Sequence, residues 1–163
     1  MNQSEIAKNI ETCLKNYETF ENRIVYSITH NYFPFVYQSV YKQLGYEKLA
    51  LKAFENCNPK KNKNGKLIYA SALSMGTKVL HFYDPEENPI FDSIVRKKEN
   101  LNINEITYDI CIYFQQAAND FVRKHNDYFE NFYKSECIKD ELKKRHMTND
   151  FPKMWIMDMA LYI

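Results

Sequence analysis

The chain reads as all-α, a single globular multi-helix domain over residues 1–163. Apolar residues recur at intervals of three and four through most of its length, only three glycines interrupt it, and no stretch alternates apolar and polar side chains at the period of a strand. The pattern divides into about eight short helices.

Ile6, Ile10, Leu14 and Tyr17 make the first stripe, with Ser4 as its N-cap. Pro34 suits the first turn of a helix that carries Val36, Val40, Tyr41 and Leu44, and Gly45 ends it. A further short helix holds Leu49, Ala50, Ala53 and Phe54. After a loop rich in Asn, Lys and Gly, residues 67–73 form a compact apolar helix that Gly76 breaks, because glycine takes up positive φ without steric penalty. Helical spacing resumes over residues 78–82. Pro85 and Pro89 keep the next connection irregular, since the residue before a proline is disfavoured in the helical region, and Asp92 or Ser93 caps the helix after it. Asn104 caps the longest helix, residues 106–122, whose buried face carries Ile106, Ile110, Tyr113, Phe114, Ala117, Phe121 and Val122. Shorter helices fall at 128–133 and 138–144. Asp150-Phe151-Pro152 reads as a cap with a first-turn proline, and Met154, Trp155, Met157, Met159 and Leu161 make the last helix strongly apolar. Burial is the main reading of that helix, and a homodimer or protein-partner surface is the second.

Composition excludes several function classes. Lys plus Arg number 22 against 21 Asp plus Glu, so no global field draws the protein to nucleic acid or an anionic membrane, and any such binding needs a local patch. No run approaches the roughly 18 apolar residues of a membrane span, and residues 1–8 hold no apolar signal-peptide core, which predicts a cytoplasmic protein with no membrane partner. Cys13, Cys57, Cys111 and Cys137 lie far apart with no Cys-x-x-Cys pairing and read as reduced thiols. Abundant Lys, Asn, Ile and Tyr fit an AT-rich genome, of a low-GC bacterium or one of its mobile elements.

One segment carries chemistry. Gly76-Thr77-Lys78-Val79-Leu80-His81-Phe82 is followed by Asp84-Pro85-Glu86-Glu87-Asn88-Pro89-Ile90-Phe91-Asp92-Ser93. A short proline-bounded connection thus holds a lysine and an aspartate at the mouth of the next helix near each other. The plainer reading makes Lys78 a surface side chain and Asp92 an N-cap.

This segment resembles the helix-hairpin-helix DNA glycosylases of the 8-oxoguanine type. Their signature runs leucine, any residue, glycine, aliphatic, glycine, any residue, lysine, then an apolar helix, a proline-bearing loop and an aspartate that opens the following helix. Leu73-Ser74-Met75-Gly76-Thr77-Lys78 matches it one residue short and without the first hairpin glycine, and Pro89-Ile90-Phe91-Asp92-Ser93-Ile94-Val95 supplies the aspartate and helix start, over residues 73–95. The resemblance implies base excision from DNA, in bacterial repair or phage defence. Lys78 would be the nucleophile that forms a Schiff base with the deoxyribose, and Asp92 the group that stabilises the developing positive charge. A lysine attacks only as the neutral amine, so it needs a desolvating site, for which Val79, Leu80 and Phe82 are at hand. The extruded base would enter a pocket of aromatic rings, with Tyr69, Phe82, Phe114 and Trp155 as candidates.

Around that motif, Pro59-Lys60-Lys61-Asn62-Lys63-Asn64-Gly65-Lys66 places Lys60, Lys61, Lys63 and Lys66 in one loop with no negative charge, and Arg96-Lys97-Lys98 adds a second cluster. With Gly76 and Thr77 these are the candidate DNA contacts; a solvated loop is the plainer reading. His81 reads as a hydrogen-bonded, partly buried histidine, because His30, His125 and His146 offer it no ligand spacing; no metal and no cofactor are expected. Three classes stand: a glycosylase-fold enzyme, a catalytically dead relative that binds nucleic acid or protein, and a helical interaction protein.

Overall fold

The computed structural model describes residues 1–55, 60–61, 63–65, 67–68, 70–98 and 107–162. Over them the protein is all-α, and the only extended pairing is a two-residue ladder, β1 (Lys60–Lys61) antiparallel to β2 (Leu67–Ile68).

Helix α1 (Gln3–Leu14) buries Ile6, Ile10 and Leu14 as the periodicity predicts, but its cap is Asn2 rather than Ser4. Asn2 and Glu5 form a reciprocal capping box, which satisfies two N-terminal donors at once. Helix α2 (Tyr17–Thr29) is capped by Asn16 and buries Phe20, Ile24, Ser27 and Ile28. Its far end is a Schellman turn: Asn31 sits at φ 56° and donates to the Ile28 carbonyl, while Tyr32 donates to that of Ser27. The reversal folds Tyr32 back against the helix it has just left.

A 3₁₀ turn (Pro34–Tyr37) leads into α3 (Gln38–Leu44), and Gly45 ends it at φ 79°. The expected apolar face of this region is not buried: Val36, Val40 and Leu44 are all exposed. Helix α4 (Tyr46–Glu55) buries Ala50 and Ala53 against α5 (Ala70–Tyr83). Residues 67–73 are not one helix, since Leu67 and Ile68 belong to the ladder. Gly76 does not break α5; it is helical and buried within it. The cost of an interior glycine, about 1 kcal/mol, is outweighed by the packing of Leu73, Val79 and Phe82 on either side.

After α6 (Ser93–Lys98), helix α7 (Tyr108–Lys124) is capped by Thr107, whose Oγ1 accepts from the Ile110 amide; Asn104 and Ile106 lie outside the described residues. It buries Cys111, Phe114, Ala117, Ala118 and Phe121 against α1, where Glu11 accepts from His125 and Lys124. Helices α8 (Asn126–Lys134) and α9 (Glu136–Lys143) match the expected spans closely. In α10 (Lys153–Leu161), Asp150 does not cap; it accepts from the Thr148 hydroxyl instead. Met154, Ile156, Met157, Met159, Ala160 and Leu161 are all buried, chiefly against α2, where Ser27 Oγ donates to the Met159 carbonyl at 2.5 Å. Burial, the main reading of this helix, is what the structure has. No helix among the described residues is long and apolar enough to cross a membrane.

Candidate functional site

Lys78 Nζ lies 3.2 Å from Asp92 Oδ2. The two residues are brought together by a connection fastened at both ends to α5. One residue before Lys78, Thr77 Oγ1 accepts from the Phe91 amide at 3.1 Å and donates to the Ser74 carbonyl. Three residues after it, His81 Nδ1 donates to the Asn88 carbonyl at 2.6 Å. Asn88 is held further by Gln115 Nε2 at 2.9 Å, and the Glu87 carbonyl accepts from Asn119 on α7. Ile90 and Phe91 are buried, so the loop is part of the core and delivers Asp92 at a defined place.

Asp92 performs two tasks with two oxygens. Oδ1 accepts from the amides of Ile94 and Val95 at 2.9 and 3.1 Å, capping α6, while Oδ2 faces the lysine. The capping role read from sequence is realised, and the same carboxylate lies against Lys78. The ion pair itself is worth about 1 kcal/mol or less, since the Lys78 side chain is 33% exposed. Asp92→Asn should accordingly melt close to the wild type, because asparagine caps as well as aspartate, whereas Asp92→Ala should lose about 1 kcal/mol in urea denaturation. Equal losses in both variants would mean that the capping bonds contribute nothing.

The pair opens into a cleft of about 470 Å³. Its walls are Tyr32, Phe33 and Pro34 after α2, Tyr41 on α3, Phe82 on α5, Ile90 and Ile94 about the connection, and Tyr162 after α10. Tyr41 stacks on Phe82 at 5.2 Å between ring centroids, and Tyr32 on Tyr162 at 3.5 Å with the planes 7° apart. The cleft is aromatic rather than basic: among the described residues that line it, Lys78 and Asp92 are the fully charged ones.

Of the aromatic candidates, only Phe82 lines the cleft; Phe114 is wholly in the core, Trp155 lies at a separate surface with Phe35 and Phe151, and Tyr69 is outside the described residues. Gly76 and Thr77 are buried, so neither is available to a phosphate; Thr77 instead fastens the connection. Lys63 and Lys97 are exposed, and Arg96 is half-buried with Nε donating to the Asp92 carbonyl at 3.4 Å. The side chains of Lys60, Lys61, Lys66 and Lys98 lie outside the described residues. His81 is fully buried; burial pushes its pKa down to about 4, against the raising effect of its bond to Asn88. Among the described residues its Nε2 has no hydrogen-bond partner. No group of His, Cys, Asp and Glu that could hold a metal ion occurs among the described residues.

Sequence reasoning missed one group. Asp158, on α10, is 1% exposed, and its Oδ2 accepts from the Tyr32 hydroxyl. Burial raises its pKa to about 7; the Tyr32 hydrogen bond lowers it, the charge of Asp92 raises it and that of Lys78 lowers it. Tyr32 is pushed up in turn, by burial first and then by the charge of Asp158. The signal in the sequence was a lone carboxylate inside Met154-Trp155-Ile156-Met157-Asp158-Met159-Ala160-Leu161. A charge placed in an otherwise apolar helix must be buried with it or break its face.

No known protein family, curated protein or solved structure matches the chain.

Proposed function

We propose that the protein is a DNA glycosylase-like enzyme that excises a modified base, in repair or phage defence. The observation that carries this reading is the Lys78–Asp92 pair, 3.2 Å apart at the mouth of an aromatic cleft large enough for a planar ring. In the proposed reaction the Lys78 amine attacks the sugar C1′ as the N-glycosidic bond breaks. The bonding electrons leave with the base, which takes up a proton. The new ammonium passes its proton to Asp92, which hands it on to the sugar oxygen as the C1′–oxygen bond breaks and the ring opens, leaving the protonated imine. Asp92 stabilises the positive charge that develops at C1′ before Nζ has fully bonded. The aromatic walls that Tyr32, Tyr41, Phe82 and Tyr162 give the cleft suit a base removed from the helix.

The test uses oligonucleotides, duplex and single-stranded, each with one modified base or one abasic site. The wild type should release a base or cut at the abasic site. Asp92→Asn should slow the step by about 10²- to 10³-fold with binding unchanged, since it removes charge stabilisation of the transition state. Binding should weaken with salt, and neutralising Lys63, Arg96 and Lys97 should reduce that dependence. Absence of any release or cutting across such a panel removes the enzyme reading.

A second reading has its own support. Without a turn at Gly76 there is no hairpin at that point, and exposed Val36, Val40, Leu44 and Leu51 suit a helical protein-interaction module.

A further inference from the structure

Helices α2 and α9 end in the same way and against each other. Each closes on a left-handed residue, Asn31 after α2 and His146 after α9, both at φ 56°. In each turn the next amide, of Tyr32 or Met147, donates to the carbonyl five residues back. Arg145 ties the two ends together: Nε donates to Asn31 Oδ1 and Nη2 to the Thr29 carbonyl, each at 3.3 Å, while Nη1 donates to Glu141 in its own helix. Because His30 and Asn31 line the cleft, this junction is its lip. Two features of the lip are not needed to hold it. One is charge. Residues 139–146 carry Lys139, Lys143, Lys144 and Arg145 against Asp140 and Glu141. Glu141 takes Lys144 and Arg145, Lys143 and Lys144 are exposed, and no ion pair of Lys143 occurs among the described residues. The other feature is a pair of stacked rings, Tyr26 and His30, one helical turn apart, with centroids 3.8 Å apart and planes at 20°. His30 Nδ1 donates to the Tyr26 carbonyl at 2.8 Å, which fixes the pair, yet Tyr26 is 47% exposed.

We propose that this lip binds single-stranded DNA on its way into the cleft, with Lys143, Lys144 and Arg145 along its phosphates and an unpaired base stacked on the open face of Tyr26. The inference rests on the reading of the protein as one that acts on DNA, and names the form of DNA it takes. Exposed lysines gain from a polyanion because the strand gives up its condensed counter-ions to them. The carbonyl end of α9 accounts for a cation in its last turn, but not for a fixed aromatic pair beside it. Stacking separates the two forms of DNA: a base in a strand has a free face to offer a ring, whereas in a duplex both faces are covered by its neighbours. The end of α2, residues 26–32, carries no acidic side chain to repel the strand. From Tyr26 the path passes His30 and Asn31 to the cleft wall, so a strand held at the lip leads toward Lys78 and Asp92 with no duplex to open.

The experiment is fluorescence anisotropy with a labelled oligothymidylate of roughly 12 nucleotides, within the span of one small single-strand site, against a duplex of the same length over a series of salt concentrations. The wild type should bind the single strand more tightly than the duplex. Tyr26→Ala should weaken single-strand binding about tenfold, and Tyr26→Phe, which keeps the ring, should bind as the wild type does. The double change Lys143→Ala and Lys144→Ala should lower the slope of log affinity against log salt by about 1.4, at about 0.7 for each phosphate contact on a single strand. Lys8→Ala, on α1, none of whose residues lines the cleft, should leave that slope as it was. All these side chains are exposed, so the variants should keep the fold, which circular dichroism checks. Duplex binding as tight as single-strand binding, an unchanged affinity in Tyr26→Ala, an unchanged slope in the double variant, or no binding at low salt would each overturn the proposal. A wild type that binds as expected yet releases no base from DNA keeps this inference and loses the glycosylase reading. One that releases a base while Tyr26→Ala binds as the wild type does keeps that reading and loses this inference.

Discussion

Asp158→Asn should gain about 4 kcal/mol on the wild type between pH 4 and pH 8. The folded protein holds this carboxyl at a pKa of about 7, above the ordinary 3.8, because burial disfavours the charged form. A raised folded pKa gives stability that is complete below 3.8 and is lost as pH rises through about 7, while the unfolded chain releases its proton early. At about 1.4 kcal/mol for each unit, the interval amounts to about 4 kcal/mol. Asparagine has no proton to release and escapes the loss. His81 acts in the other sense: its folded pKa is lowered from 6.5 to about 4, so its stability is complete above 6.5 and is lost as pH falls toward 4. The two slopes oppose each other between pH 4 and 6.5, which is why the variant, and not the wild-type profile alone, isolates Asp158. Urea denaturation at pH 4, 6 and 8 measures it. Parallel pH profiles for variant and wild type would show that Asp158 is not buried as a neutral group.

The helices that sequence made legible are those whose apolar period is long and undisturbed: α1, α7, α8 and α9, with α10 beside them. The Lys78–Asp92 proximity was also legible, because Pro85 and Pro89 bar a helix and leave a short connection that must return along α5. What failed did so where tertiary packing overrides local preference. Gly76 looks like a break until Leu73, Val79 and Phe82 are seen packed about it. Val36, Val40 and Leu44 look like a core face, yet nothing among the described residues covers them. Tyr32 reaches the cleft only through a left-handed Asn31, a conformation for which the sequence offered asparagine and no glycine. Asp158 was hidden by its company, since a Met-rich run draws the eye to burial and away from its single carboxylate.

Lys78→Gln should have the largest effect of any single change: complete loss of covalent capture on DNA, with the fold intact. The side chain is one-third exposed and its ion pair contributes little, so glutamine at this position should shift stability by no more than about 0.5–1 kcal/mol. Chemistry at an imine-forming amine has no substitute in an amide, whose nitrogen lone pair is delocalised into the carbonyl. Asp92→Asn should give slow capture instead of none, because it retains the nucleophile and the cap and loses only the charge.

Borohydride trapping tests the central claim most directly. Wild-type protein is incubated with DNA bearing a modified base or an abasic site, borohydride is added to reduce any imine to a stable amine, and the adduct is digested and mapped by mass spectrometry. The account predicts a protein–DNA adduct whose linkage lies on Lys78 and which Lys78→Gln does not form. No adduct with any DNA tried, or an adduct that forms equally in Lys78→Gln, would contradict it.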